Sequence, residues 1–244
     1  LNWLKTALTS SVGKKFVMGI TGLLLCGFLV THLAGNMLLL AGDDGDSYNA
    51  YAHALHSNPK LIIVAEVMLA ALFLTHIFLA FATTKENYDA RGPVGYTEQN
   101  SKIQDRTLKA SLSPSNWMFL SGAVVLGFIL LHLVDFTLEK RPGIPYSDFE
   151  KSAMVHGENV DDAYTKAIAI LQTPLSLGIY LIGCLFLGWH LGHGFSSAFQ
   201  SLGINHSKWN PIIHYGGIAF AFLIAIGFGL FPIWAMFQPV LTID

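Results

Sequence analysis

The stretch "PLSLGIYLIGCLFLGWHLGHGFSSAF", residues 174–199, contains no Lys, Arg, Asp or Glu. It is longer than the ~20 predominantly apolar residues that a helix needs to cross a bilayer. Such a run reads as a membrane span rather than a core helix of a water-soluble domain. Two histidines, His190 and His193, interrupt it three residues apart. They are a metal pair, a ligand with a bystander, or polar residues tolerated near a helix end.

Four further stretches of the same kind lie at 16–41, 61–84, 115–138 and 211–237. Of the 244 residues, 52% are apolar and only 12% charged, and mean hydropathy is +0.50. A water-soluble domain carries about 25% charged residues. The chain is therefore expected to be all-α and polytopic. It reads as one integral-membrane domain over 1–244 with five transmembrane helices bundled together. The first stretch is too long for a signal-peptide core. Cys26 and Cys184 both fall within spans and read as packing residues, and no C-x-x-C-H is present for covalent haem attachment. A net charge of −2 points to no particular partner, and no nucleic-acid partner is expected.

The loops give an orientation. The N-terminus and the loops near 85–114 and 200–210 carry nine basic residues: Lys5, Lys14, Lys15, Lys85, Arg91, Lys102, Arg106, Lys109 and Lys208. The opposite side carries five (Lys60, Lys140, Arg141, Lys151 and Lys166), together with the acidic groups Asp43-Asp44-Asp46 and Glu158 to Asp162. The positive-inside rule then puts the N-terminus in the cytoplasm and the C-terminus outside. The long outer loop, about 139–170, is expected to hold a short helix. Trp117, Trp209 and Trp234 near span ends fit an interfacial aromatic belt.

Ionisable groups inside a span are costly and need a reason. His32, His76, His132 and His190 stand in four different spans, each about two thirds of the way along in chain direction. Because successive spans alternate direction, His32 and His132 fall in the outer half of the bilayer. His76 and His190 fall in the inner half. At 1.5 Å rise per residue each lies roughly 9–14 Å from its nearer helix end. Two imidazoles from two helices at one depth are what a six-coordinate haem requires. A zinc site would gather four ligands tetrahedrally, and the split in depth argues against that. Residues 22–33 and 122–133 share a pattern, Gly-x4-Gly-Phe-x3-His-Leu, which reads as an internal duplication or a coincidence in a Gly- and Leu-rich chain. The small residues allow close approach of a neighbouring helix or a flat ligand. Taken alone, each histidine also reads as a helix–helix hydrogen-bonding group, and the set as part of a proton-coupled transporter. An odd span count and the lack of a central Pro in the spans suit a transporter poorly.

Nearly the whole chain resembles a known family. The resemblance is carried by "SSVGKKFVMGITGLLLCGFLVTHLAGNM" (10–37), "AEVMLAALFLTHIFLAF" (65–81) and "ENYDARGPVGY" (86–96), with "HLVDF" (132–136) and "HLGHGFSSAFQSLG" (190–203) completing it. These resemble the cytochrome b membrane anchor of succinate:quinone oxidoreductases, the succinate dehydrogenases and fumarate reductases, in the single-subunit, five-helix, two-haem form. The resemblance implies a bacterial-type cytoplasmic membrane as its home. It implies two b haems, a flavoprotein partner carrying FAD where succinate and fumarate interconvert, and an iron–sulfur partner. The anchor would pass electrons between the iron–sulfur subunit and a membrane quinone, menaquinone in this form. No G-x-G-x-x-G or cluster-binding Cys set places FAD or iron–sulfur chemistry in this chain.

The resemblance assigns His32 and His132 to the outer haem and His76 and His190 to the inner one, with His193 outside the ligand positions. Where some relatives carry an acidic proton-transfer residue two positions before the fourth ligand, this chain has Gly188, so that route is not carried over. Quinone chemistry moves protons with electrons, and Glu66 and Asp135 are the acidic groups within spans. Both are quinone or proton-relay candidates, and both also read as plain hydrogen-bonding or snorkelling groups. His53 and His56 are expected in a solvated outer loop. Arg91, Lys15 and His193 are candidates for holding haem propionates or docking the iron–sulfur subunit. The cytochrome b anchor of another dehydrogenase or a hydrogenase stays open as a rival, as does assembly of the whole complex into a dimer or trimer.

Overall fold

A computed structural model describes residues 2–91 and 114–239, with side chains from 2–90 and 117–239. Lys102, Arg106, Lys109, the second half of the "ENYDARGPVGY" motif and the side chain of Arg91 lie outside the described residues. The described residues are all-α apart from one small hairpin. Its order is α1 (Asn2–Thr9), α2 (Ser11–Asn36), α3 (Asp46–His56), α4 (Pro59–Arg91), α5 (Pro114–Phe136), β1 (Ala153–Val155), β2 (Glu158–Val160), α6 (Ala163–Leu171), α7 (Pro174–Ser201) and α8 (Asn210–Ala235). Five of the helices, α2, α4, α5, α7 and α8, are long and apolar enough to cross a membrane. The protein is thus a polytopic helical membrane protein.

Local chemistry moves the span ends away from those expected. The first span starts at Ser11, because Ser10 caps it by accepting from the Gly13 N–H at 3.0 Å. A turn of 3-10 helix, Met37–Leu40, completes it. The second span runs on to Arg91, and its 33 residues make about 50 Å of helix, well beyond the ~30 Å hydrocarbon core. Lys14 on α2 pairs with Glu86 on α4 and steadies that extension. The third span stops at Phe136, and Glu139 (φ 53°) turns the chain back. Thr173 caps α7, with Pro174 in its first turn.

The helices run antiparallel where they are sequential. The N-terminal part of α2 lies beside the C-terminal parts of α4 and α7, and the start of α5 beside the end of α7. Because lipid is as apolar as Leu, burial of apolar surface does little to drive helices together; close packing does. Small residues supply that packing. A Cβ at Gly19 would stand 3.2 Å from the Ala198 carbonyl, one at Gly188 2.7 Å from Ala225 Cβ, and one at Gly227 2.8 Å from Leu33. Gly188 is therefore where α7 meets α8. The core gathers Cys26 and Leu33 of α2, Tyr180 and Leu191 of α7, and Ala221, Ile224 and Phe231 of α8. Both cysteines are buried and free. On α4, at the bundle's edge, only Leu79 and Thr83 are buried among the described residues.

The loop after α5 forms a cap over one end of the bundle. It holds the expected short helix, α6, but also an unforeseen antiparallel hairpin. His156 (φ 51°) and Gly157 (φ 86°) form its two-residue turn, both in the left-handed region that such a tight hairpin demands. Half-buried His53 and exposed His56 sit on α3 rather than in an irregular loop. Buried Asn49 ties α3 to α6, donating to Asp162 at 3.1 Å and accepting from the Tyr164 N–H at 2.9 Å.

Candidate functional site: two histidine pairs and a buried ion pair

The four intramembrane histidines come together as two pairs across helices. His32 of α2 faces His132 of α5, with ring centroids 5.8 Å apart and planes at 82°. His76 of α4 faces His190 of α7, at 6.4 Å and 76°. These are the pairings expected from depth. Gly22 lies against His76, and Gly122 against His190, with a Cβ at either glycine 3.4 Å from the ring. His32 and His132 follow those glycines by ten residues on the same helices, so the two pairs are stacked about 15 Å apart along the bundle at 1.5 Å per residue.

The pairs suit a metal held between two rings. With a metal–imidazole distance of about 2.0–2.1 Å and the ring centre roughly 1.1 Å beyond the nitrogen, two rings sharing one metal would have centroids up to about 6.3 Å apart. The observed separations lie on either side of that value. His132 Nδ1 is buried with no hydrogen-bond partner among the described residues. No group of three or more His, Cys, Asp or Glu gathers as a metal site among the described residues, so the donors come in twos.

Surroundings differ between the pairs. Thr21 Oγ1 lies 3.2 Å from His76 Nδ1, and Ser121 Oγ lies 3.1 Å from His190 Nδ1. Both hydroxyls are nearly or fully buried. Around the other pair the neighbours are aromatic: Phe28 stacks on His32 at 5.2 Å, Phe228 lies 5.5 Å from it, and Phe128, Phe136 and Tyr180 surround His132. The Asn36 amide stands 3.4 Å from His32 Nδ1, but its good bond, at 2.8 Å, runs to the His32 carbonyl.

One turn beyond His132 lies a buried ion pair. Asp135 is fully buried and accepts from Arg141 Nη1 on both oxygens, at 3.1 and 2.9 Å, and from the Tyr180 hydroxyl at 2.8 Å. Arg141 also donates to Ser176 Oγ at 2.7 Å, to Thr173 Oγ1, and to the Ile170 carbonyl at 3.4 Å. The sequence reading missed this role of Arg141, which counted there only as a loop charge. Charge pattern could not have revealed it, since the residues it joins lie up to 35 positions away.

The remaining candidates are dispersed. Glu66 is exposed on α4, and Lys15 is exposed on α2. His193 stands edge-on to Trp189 at 6.2 Å, on the same helix as His190 but not in either pair. Thr21, Ser121, Met18 and Met118 were also missed, although a signal existed. Extended backwards, the repeat becomes Met-x2-[Ser/Thr]-Gly-x4-Gly-Phe-x3-His-Leu in both helices, offset by 100 residues.

No protein-family model, no curated protein and no solved structure matches the chain.

Proposed function

We propose that the chain is the di-haem cytochrome b membrane subunit of a succinate:quinone oxidoreductase. In this reading it anchors a flavoprotein and an iron–sulfur subunit and carries electrons between the latter and a membrane quinone, menaquinone by resemblance. The observation that carries the haem part is the two cross-helix imidazole pairs at bis-histidine separation. The succinate and quinone parts rest on the ordered motifs. Haem b supplies one-electron redox chemistry when bound. His76 and His190 would hold the inner haem, and His32 and His132 the outer one. The apolar and aromatic residues around the rings keep water from the pairs, and the ~15 Å spacing sets the two pairs in series across the bundle. Glu66 is our first candidate for proton exchange with quinone, since its carboxylate is exposed on α4. Asp135 is the second, because Arg141 and Tyr180 already hold its carboxylate. Lys15 and Arg91 belong to the basic side, where the iron–sulfur subunit would dock and haem propionates would find cations. That side is assigned to the cytoplasm of a bacterial-type inner membrane.

The test is a reduced-minus-oxidised spectrum and a pyridine haemochrome assay on the purified complex in detergent. Two haems b per chain are expected. Replacing His76 or His190 by Leu is expected to remove one haem and leave the His32–His132 haem. An assembled, haem-free preparation overturns the reading in favour of a transporter. Two haems without a copurifying flavoprotein point to the anchor of another oxidoreductase.

A further inference from the structure

We infer that Thr21 and Ser121 are positioning residues that lock the His76 and His190 rings in one tautomer, so that the two helices bearing the outer ligands also build the inner site. This rests on the haem reading above. Each hydroxyl has a single hydrogen, and each already donates it to the carbonyl three residues earlier: Thr21 to Met18 and Ser121 to Met118, both at 3.0 Å. Each oxygen is therefore left as an acceptor toward the imidazole. A nitrogen that meets only acceptors must carry the proton. Nδ1–H is thus fixed in both rings, and the lone pair is left on Nε2, the nitrogen free to bind metal.

The seat is the same on both sides. In each case a Ser or Thr holds the ring nitrogen and the Gly that follows lies against the ring, where a larger side chain would meet Cε1. α2 thus gives a seat to His76 and a ligand, His32, to the other pair; α5 gives a seat to His190 and a ligand, His132. Among the described residues the outer pair has no such acceptors on its ring nitrogens. The lock belongs to the inner pair alone.

Holding the second nitrogen of a ligating histidine usually affects metal affinity by about 10–100-fold. The experiment uses the full complex with Thr21→Val, Ser121→Ala and Thr21→Ser. It follows haem loss to excess apomyoglobin and the low-temperature ferric EPR spectrum, in which two bis-histidine haems give separate signals. In Thr21→Val and Ser121→Ala the inner haem is expected to leave about tenfold faster or more, with a shift of its signal alone. Thr21→Ser keeps the hydroxyl and is expected to match the unmutated protein. Unchanged retention and spectra in both Thr21→Val and Ser121→Ala overturn the inference. So does equal damage to both haems, or a Thr21→Ser protein that behaves like Thr21→Val, since either marks a packing role. Failure of the underlying reading shows separately, as an unmutated complex without two haems.

Discussion

Replacing Arg141 by Met would leave the Asp135 carboxylate, 0% exposed, with the Tyr180 hydroxyl as its only remaining partner among those described above. The same change would remove the guanidinium that joins the end of α6 (Ile170), the cap of α7 (Thr173) and the first turn of α7 (Ser176) to the end of α5. Breaking a buried pair from one side costs about 3–5 kcal/mol, because the surviving charge stays buried without compensation. That is a factor of roughly 10²–10³·⁵ in the unfolding equilibrium at about 1.4 kcal/mol per decade. For a chain of this size, about 2–4 °C per kcal/mol predicts a fall in Tm of about 6–20 °C. Removing both charges, as Asp135→Asn with Arg141→Met, is expected to recover most of the loss, since a neutral replacement of an entire pair is often close to neutral. The assay is reversible unfolding in mixed micelles, run as a double-mutant cycle. An Arg141→Met protein within about 1 kcal/mol of the unmutated one would refute the reasoning. A double variant no more stable than Arg141→Met would do the same, since the cost would then lie in lost packing and not in a stranded charge.

Three further outcomes are expected. A Cβ at Gly183 would stand 2.5 Å from Cγ of Phe128, a ring that cannot simply swing aside; Gly183→Ala is expected to cost about 1–3 kcal/mol by forcing α7 and α5 apart, measured as the change in unfolding midpoint. Asn49→Ala leaves the Tyr164 N–H without its side-chain acceptor and takes one donor from Asp162, which keeps the Thr165 N–H; it should cost about 1–3 kcal/mol in the same assay, with faster amide exchange in α3 and α6 as its local mark. Burial, helped by neighbouring Tyr51, pushes the Tyr48 phenol up to about 12 from its usual 10.0. Its contribution is therefore complete below pH ~10 and lost as pH rises toward ~12, because the unfolded chain ionises first; Tyr48→Phe should flatten the alkaline fall in Tm between those values.

Much of this protein is readable without coordinates, for definite reasons. Hydropathy over some 20 residues is a local property, and a bilayer allows few responses to it, so five spans and their approximate ends follow from composition alone. Depth follows too, since helix rise is constant and successive spans alternate direction, and depth was enough to pair His32 with His132 and His76 with His190. The extended repeat also stood in the chain, two residue types beyond where the pattern first drew notice. Lateral order did not. All five spans are apolar all round, so nothing in their hydropathy says which faces meet. That is decided by contacts between residues far apart in sequence, such as Gly19 on Ala198 or Gly227 on Leu33. It places α4 at the edge and α7 in the core. The same holds for charge. Asp135 and Arg141 are separated by a turn and a helix end, and only the return of the chain over α5 buries them together. A buried charge must find its partner in three dimensions, and the cost of leaving it alone is what makes the tertiary structure, not the spacing of letters, choose Arg141. The sequence determined which groups stand at which depth; the fold determined which of them touch.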